Sequence, residues 1–212
     1  NEERLHESAA DLSLRGASDV KAMNYHAENT DKHSSIVNAA VEFLGSIDVA
    51  LICHGNLPNQ EECQVDYRKA KKAIQLNGLS VISLCTEIVS QLRVQKKGTL
   101  AVVTSVAGER GRQPNFVYGA AKSMVSTYLQ GLRGSLVKDN IHIVDVRPGL
   151  VDSPMTAHLK KGPLWSSPES IASAIIEGIA RKRNVIYVPS YWRLIMLIVC
   201  VIPEAIFKRI KI

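Results

Sequence analysis

The sequence predicts an α/β fold, a doubly wound parallel sheet. Three observations carry that reading. Short, continuous, β-branched apolar runs recur along the chain, as parallel strands covered on both faces tend to do. Longer stretches of helical character separate them, giving a βαβα order. The 212 residues, 46% apolar and 22% charged, suit a single domain (1–212) with a sizeable core.

The elements follow in order. "NEERLHESAADLSLRG" reads as an amphipathic helix, with Asn1 as cap, Glu2 and Glu3 at the positive end of the dipole and Gly16 as its stop. Leu5, Ala9 and Leu12 are its expected buried face. "DVKAMNY" (19–25) is a strand and residues 32–46 a helix. "IDVALIC" (47–53) is a buried strand, and 61–94 is mostly helical. "GTLAVVTS" (98–105) is a strand and 114–138 a helix. "IHIVDV" (141–146), a helix over 168–182 and "NVIYV" (184–188) complete the alternation. A helix that begins at once, on Asn rather than Met, leads to the expectation of a further segment ahead of residue 1. Ligands of such sheets bind beyond the C-terminal ends of the strands, so chemistry is sought there.

Charge is uneven. Residues 1–106 carry 11 basic and 13 acidic groups, residues 107–212 carry 15 and 7. A solvated surface accounts for this surplus; an anionic ligand or membrane surface meeting the C-terminal half is the sharper alternative. Nucleic acid is not expected, because no basic stretch is interleaved with stacking aromatics. Cys53, Cys63, Cys85 and Cys200 have no metal spacing, nor have the six histidines, so no metal site is expected. Cys53, Cys85 and Cys200 lie in apolar runs and read as reduced core residues, which fits a cytoplasmic location. The apolar, basic segment 191–212 has an uninterrupted apolar run only from Leu194 to Ile202, too short for a spanning helix of about 20 residues. It reads as a helix covering the sheet or a subunit interface. The alternatives are a wall of a large apolar substrate pocket, or a membrane-surface element with Tyr191 and Trp192 at the headgroups and Arg193, Lys208, Arg209 and Lys211 on anionic lipid.

Two YxxxK pairs occur, where about 0.4 are expected by chance. Tyr67 and Lys71 lie in polar "DYRKAK" and read as a solvated helix face. Tyr118 and Lys122 share one helical face, and Ser105, thirteen residues upstream, ends a buried strand. A tyrosine with a pKa near 10 exchanges protons poorly at neutral pH, and a nearby lysine cation stabilises its phenolate. Ser105 can donate to a substrate oxygen as charge develops there. Such a set suits proton transfer at a carbonyl or alcohol oxygen while hydride moves at carbon, which requires a nicotinamide cofactor.

With "TSVAG", "YGAAK", "RPGLVDSPM" and "QLNGLSVI" in order, the chain resembles the short-chain dehydrogenase/reductase family, whose fold is Rossmann-type. The resemblance implies Tyr118 as catalytic acid/base and Lys122 as the residue that lowers its pKa and holds the nicotinamide ribose. It implies Ser105 as the group polarising the substrate oxygen, and Asn77 as anchor of a proton-relay water. Pro148, Gly149, Val151 and Ser153 would line the nicotinamide. It also implies a homodimer or homotetramer built through the two long helices, 61–94 and 114–138. "SVAGERGRQPNFVYGAAK", "MTAHLKK" and "PEAIFKRIKI" are similar to a narrower branch that reduces a 2-keto pentose attached to a polyprenyl phosphate.

Two departures stand out. The family's "NNAG" is "ICHG" here; Gly55 is kept, and His54 replaces a small residue as a cofactor-side contact. The glycine-rich phosphate loop is absent, as if the first strand–helix unit were lacking; it would belong to a further β–α–β unit ahead of Asn1. The basic balance leans toward NADP(H) over NAD(H). The substrate is then a small-molecule or lipid-linked alcohol or ketone. The rival from another class is a catalytically silent scaffold that binds a partner through its apolar tail.

Overall fold

The computed structural model describes residues 2–210, so the Asn1 cap and the Lys211 contact lie outside the described residues. Four parallel strands, β1 (Val49–Ile52), β2 (Gly98–Val103), β3 (Ile141–Pro148) and β6 (Val185–Val188), form one sheet in the order β1-β2-β3-β6. Pairing is in register from Val49 opposite Thr99 and from Gly98 opposite Ile141. A parallel strand covered on both faces must be apolar at every position, and β2 shows why. Leu100 and Val102 point into a core with α2 (His33–Leu44), α5 (Ser80–Gln95) and α6 (Phe116–Ser135). Ala101 points to the other face, against Ile171 and Ile175 of α7 (Pro168–Ala180). A two-stranded parallel pair, β4 (Leu150–Val151) and β5 (Trp165–Ser166), closes the long excursion after β3.

Two expectations fail at the N-terminal end. Residues 19–25 form no strand and no other regular structure. A strand exists only where a neighbour takes its hydrogen bonds, and none of the described residues does so. The segment is fastened instead through His33, whose Nδ1 lies 2.9 Å from Ser83 Oγ and whose Nε2 lies 3.1 Å from the Ala27 carbonyl. The first helix, α1 (Glu2–Leu14), buries no residue, and Leu12 and Leu14 are 51% and 87% exposed. β1 is a sheet edge with Val49 and Leu51 also exposed, so the described residues cover neither surface.

The helical stretch predicted over 61–94 divides. A short α3 (Gln60–Val65) precedes a continuous helix, α4 (Tyr67–Ile74) running into α5 through a π-turn at Gln75–Leu79. Tyr67 is 76% exposed, as its solvated reading requires. This is the one helix among the described residues long and apolar enough to cross a membrane, and half of its apolar window is buried in the core. Cys63 and Cys85 are core thiols, but Cys53 and Cys200 are exposed, contrary to expectation: Cys53 follows β1 at the open end of the sheet, and Cys200 lies on the outer part of a C-terminal helix.

That helix, α8 (Trp192–Val201), has ten residues and meets the sheet at its β6 edge, where Tyr187 packs against it. It packs Trp192 and Met196 on Val106 and Leu150 beyond the strand ends. Arg110 fastens it, donating to the Val199, Cys200 and Ile202 carbonyls at 2.5, 3.2 and 2.6 Å. The same guanidinium meets Glu204 at 3.1 Å and stacks 3.7 Å from the Phe207 ring of α9 (Glu204–Phe207). A cation on the last carbonyls of a helix satisfies orphan acceptors and opposes the dipole.

Candidate active site

The parallel strands put the segments that follow β1, β2 and β3 on one edge, and a cavity of about 250 Å³ opens between them. Its lining holds His54, Gly55, Ser105, Tyr118, Lys122, Pro148, Gly149, Val151 and Ser153. Every residue singled out from the sequence is therefore in one place except Asn77. Arg112 and Asn115, which sequence reasoning passed over, line it too, as does Trp192 of the tail offered above as a pocket wall. The signal of the first two was modest: a charged and an amide residue in the loop joining Ser105 to Tyr118.

Ser105 is extended and begins a single 3-10 turn, its Oγ accepting the Ala107 N–H at 3.1 Å. Tyr118 lies in the first turns of α6 and faces the same cavity as Ser105. The close packing that allows this needs small residues. A Cβ on Gly119 would come 2.7 Å from the Ala107 carbonyl, and one on Gly108 would come 2.8 Å from the Ser123 amide nitrogen.

Burial pushes the Tyr118 hydroxyl above the usual tyrosine value, while the Ser105 hydrogen bond and the Arg112 charge pull it down. The cation expected to do this was Lys122. Its ammonium lies 5.8 Å from the centre of the Tyr118 ring and donates to the Val103 carbonyl at 3.0 Å. Lys122 is 4% exposed, and burial lowers its pKa to about 8, opposed by Cys53 and Asp145. Arg112 is thus a second cation beside the tyrosine, while the Lys122 ammonium is turned to the carbonyl at the end of β2.

Asn77 stands behind the cavity wall. The π-turn widens the helix by one residue and swings this side chain inward, where it is fully buried. Its Oδ1 accepts the Asn56 N–H at 2.9 Å, and its Nδ2 donates to Asn56 Oδ1 at 2.9 Å and to the Ala73 carbonyl at 3.0 Å. Both amide hydrogens are committed, so a water could use only the second lone pair of Oδ1. Asn77 thus braces the segment after β1. A Cβ on Gly55 would meet Asn77 Oδ1 at 2.7 Å, which explains why glycine stands there. His54 is held by Ser80, Nε2 to Oγ at 2.8 Å, and burial lowers its pKa to about 4, with Lys122 adding to the effect. It is a neutral wall residue at pH 7.

Deeper in the floor, Thr104 donates to Asp145 at 2.5 Å and Arg147 Nε donates to the same carboxylate at 2.8 Å. Arg147 also reaches Tyr187, whose hydroxyl donates to Glu109 at 3.1 Å. This chain of charges fixes the loop after β2 to β3 and β6. Among the described residues no group of three histidine, cysteine or acidic side chains could hold a metal ion.

The strand–loop–helix carrying Ser105 and Tyr118 lies inside a match to the family model described as short chain dehydrogenase, over residues 1–163. The chain belongs to the short-chain dehydrogenase family. An oxidoreductase of Mycobacterium tuberculosis, itself named as uncharacterized, is 28% identical over 209 residues, covering 99% of this chain and 84% of its own length. Another so named, from Streptomyces coelicolor, is 28% identical over 98% of this chain and 82% of its own. In fold, the chain is similar to a short chain dehydrogenase/reductase from Burkholderia phymatum solved in complex with NAD. The TM-score is 0.80 at 16% identity, covering 93% of this chain and 80% of that one. This short-chain dehydrogenase chain is thus an oxidoreductase by family and a parallel-sheet α/β protein by structure.

Proposed function

We propose that this short-chain dehydrogenase interconverts a secondary alcohol and a ketone, with Tyr118 as acid/base and a nicotinamide cofactor. The observation that carries the reading is that Ser105, Tyr118 and Lys122 line one cavity at the C-terminal ends of the strands. Ser105 donates to the substrate oxygen and places it against the Tyr118 hydroxyl. Tyr118 passes its proton to that oxygen in reduction and takes it back in oxidation. Lys122 and Arg112 keep the cavity positive, which favours the phenolate whenever the proton leaves.

The residues present fit a flat nicotinamide. Gly55, Pro148 and Val151 offer a wall with little side-chain bulk, Gly149 gives its space to the Trp192 indole, and Lys122 would hold the ribose. When bound, the cofactor supplies the hydride. Ser153 caps the turn at Pro154–Thr156, which fixes the loop on that wall. An excess of basic residues favours NADP(H) over NAD(H), and the NAD in the Burkholderia protein keeps the second cofactor in view.

For the substrate we favour a keto-sugar on a lipid carrier. The motifs quoted above are similar to the reductase component of decaprenylphosphoryl-ribose 2'-epimerase. A specific observation favours membrane-surface contact: Leu194, Leu197, Ile198 and Val201 form one stripe of α8 and are 56–71% exposed, near Arg193, Lys208 and Arg209.

The test is a fluorescence titration with NADPH and with NADH, followed by turnover of Tyr118→Phe. Saturable binding, and turnover lost at least a thousandfold with cofactor affinity kept, is expected. Retained turnover in Tyr118→Phe would sink the reading.

A further inference from the structure

The loop between Ser105 and Tyr118 holds two arginines with opposite fates. Arg110 is consumed by carbonyls, a carboxylate and a ring. Arg112 has a buried Nε with no hydrogen-bond partner, and no described carboxylate pairs with its guanidinium. Glu109, three residues before it, is turned to Tyr187 and Arg147.

Arg112 lies where two spaces join. It lines the inner cavity of Ser105 and Tyr118, and also an open outer cleft of about 1460 Å³. Two more buried polar atoms at that junction lack partners. Asn115 lines both spaces with an unpaired Oδ1. Gln60 lines the outer cleft with a free Nε2, its Oε1 being occupied by the Val117 N–H at 3.0 Å. Buried polar groups are nearly always paired, and a guanidinium away from water is costly without an anion. Three such groups around one passage mark a surface built for a polar ligand. No carboxylate lines the inner cavity, and among the described residues Glu61 alone lines the outer one, at an exposed position. The surroundings therefore favour negative charge.

We propose that Arg112 anchors an anionic group of the substrate, so that the alcohol or ketone handled at Tyr118 carries a carboxylate or phosphate. This rests on the reading of the inner cavity as the site of alcohol–ketone chemistry. Arg112 would grip two oxygens of the anion through its planar fork, and Gln60 Nε2 would donate to a third polar atom. Asn115 Oδ1 is an acceptor and would take a hydroxyl of the substrate. The anion at the junction leaves the carbon chain reaching inward to Ser105.

Calorimetry without cofactor reads the anchor apart from turnover. The probes are acetoacetate against methyl acetoacetate, and dihydroxyacetone phosphate against dihydroxyacetone. The expected result is that at least one anion binds roughly tenfold to a hundredfold more tightly than its neutral twin, the size of one charge-assisted hydrogen bond. The two pairs tell carboxylate from phosphate. That preference should vanish in R112Q and survive in part in R112K, with R112L replacing R112Q where the amide variant fails to fold. No preference for either anion, or a preference untouched by R112Q, overturns the proposal. In that event a dead Tyr118→Phe enzyme still leaves the oxidoreductase reading standing. Active Tyr118→Phe with an intact anion preference would sink that reading alone.

Discussion

Replacing Lys122 by Met should make the protein more stable while destroying its activity. The ammonium is 4% exposed, and its pKa falls from 10.5 to about 8. At 1.36 kcal/mol per pH unit that gap is about 3 kcal/mol, the cost of keeping this charge in the folded state. The sign follows from proton binding. Between pH 8 and 10.5 the unfolded chain holds more protons at this site, so the wild type gains stability as pH rises through that window. Below pH 8 it bears the full cost. Met removes the charge but also the 3.0 Å hydrogen bond to the Val103 carbonyl, a loss of about 1 kcal/mol. Lys122→Met should then be about 2 kcal/mol more stable at pH 7, a rise of roughly 4–8 °C in Tm for a chain of this length. Above pH 10.5 the order should reverse, because only the lost hydrogen bond remains. Urea unfolding at pH 7 and at pH 10.5 measures both. A variant less stable than wild type at pH 7 would refute the reasoning and make Lys122 a structural residue.

Two further outcomes follow from the same structure. Arg110→Ala removes the carbonyl clamp, the Glu204 pair and the stacking on Phe207, so a loss of about 2–4 kcal/mol is expected. Amide exchange should speed up in α8 first, and unchanged exchange there would show that the clamp is idle. Cys53 and Cys200 should alkylate with iodoacetamide, more slowly than a free cysteine because burial raises both thiols, while Cys63 and Cys85 stay protected until unfolding. Peptide mass spectrometry reads the order, and labelling of Cys85 in native protein, whose thiol burial pushes up to about 12, would contradict the core described above.

Sequence periodicity located what depends on local pattern and missed what depends on a neighbour. Strands 47–53, 98–105, 141–146 and 184–188 are all present within a few residues, because buried parallel strands write an unbroken apolar run. Residues 19–25, "DVKAMNY", alternate polar and apolar residues like a strand but have no hydrogen-bonded neighbour among the described residues, and no local pattern reports a missing partner. The π-turn at Gln75–Leu79 leaves no mark either, since its composition is ordinary for a helix. It shows only as the position of Asn77. Ser105, Tyr118 and Lys122 were legible as a group from spacing and strand-end placement. The direction of the lysine was not, because it depends on the open carbonyl of Val103 across the cavity floor.

The two arginines of "GERGR" make the same point about chemistry. They are two residues apart, equally basic and equally unremarkable in sequence. Arg110 finds the carbonyls at the end of α8, so its charge is spent on holding the C-terminal segment against the site. Arg112 finds no acceptor, and it acts on the Tyr118 hydroxyl from the cavity wall. A fold that needed only a second clamp would have given Arg112 a carboxylate, and Glu109 stands three residues before it. Glu109 instead pairs with Arg147 and Tyr187 and reaches Arg112 only through its field, with no hydrogen bond to the guanidinium. On the anchoring proposal the guanidinium belongs to the ligand's side of the site, where Coulomb attraction is strengthened because water is partly excluded.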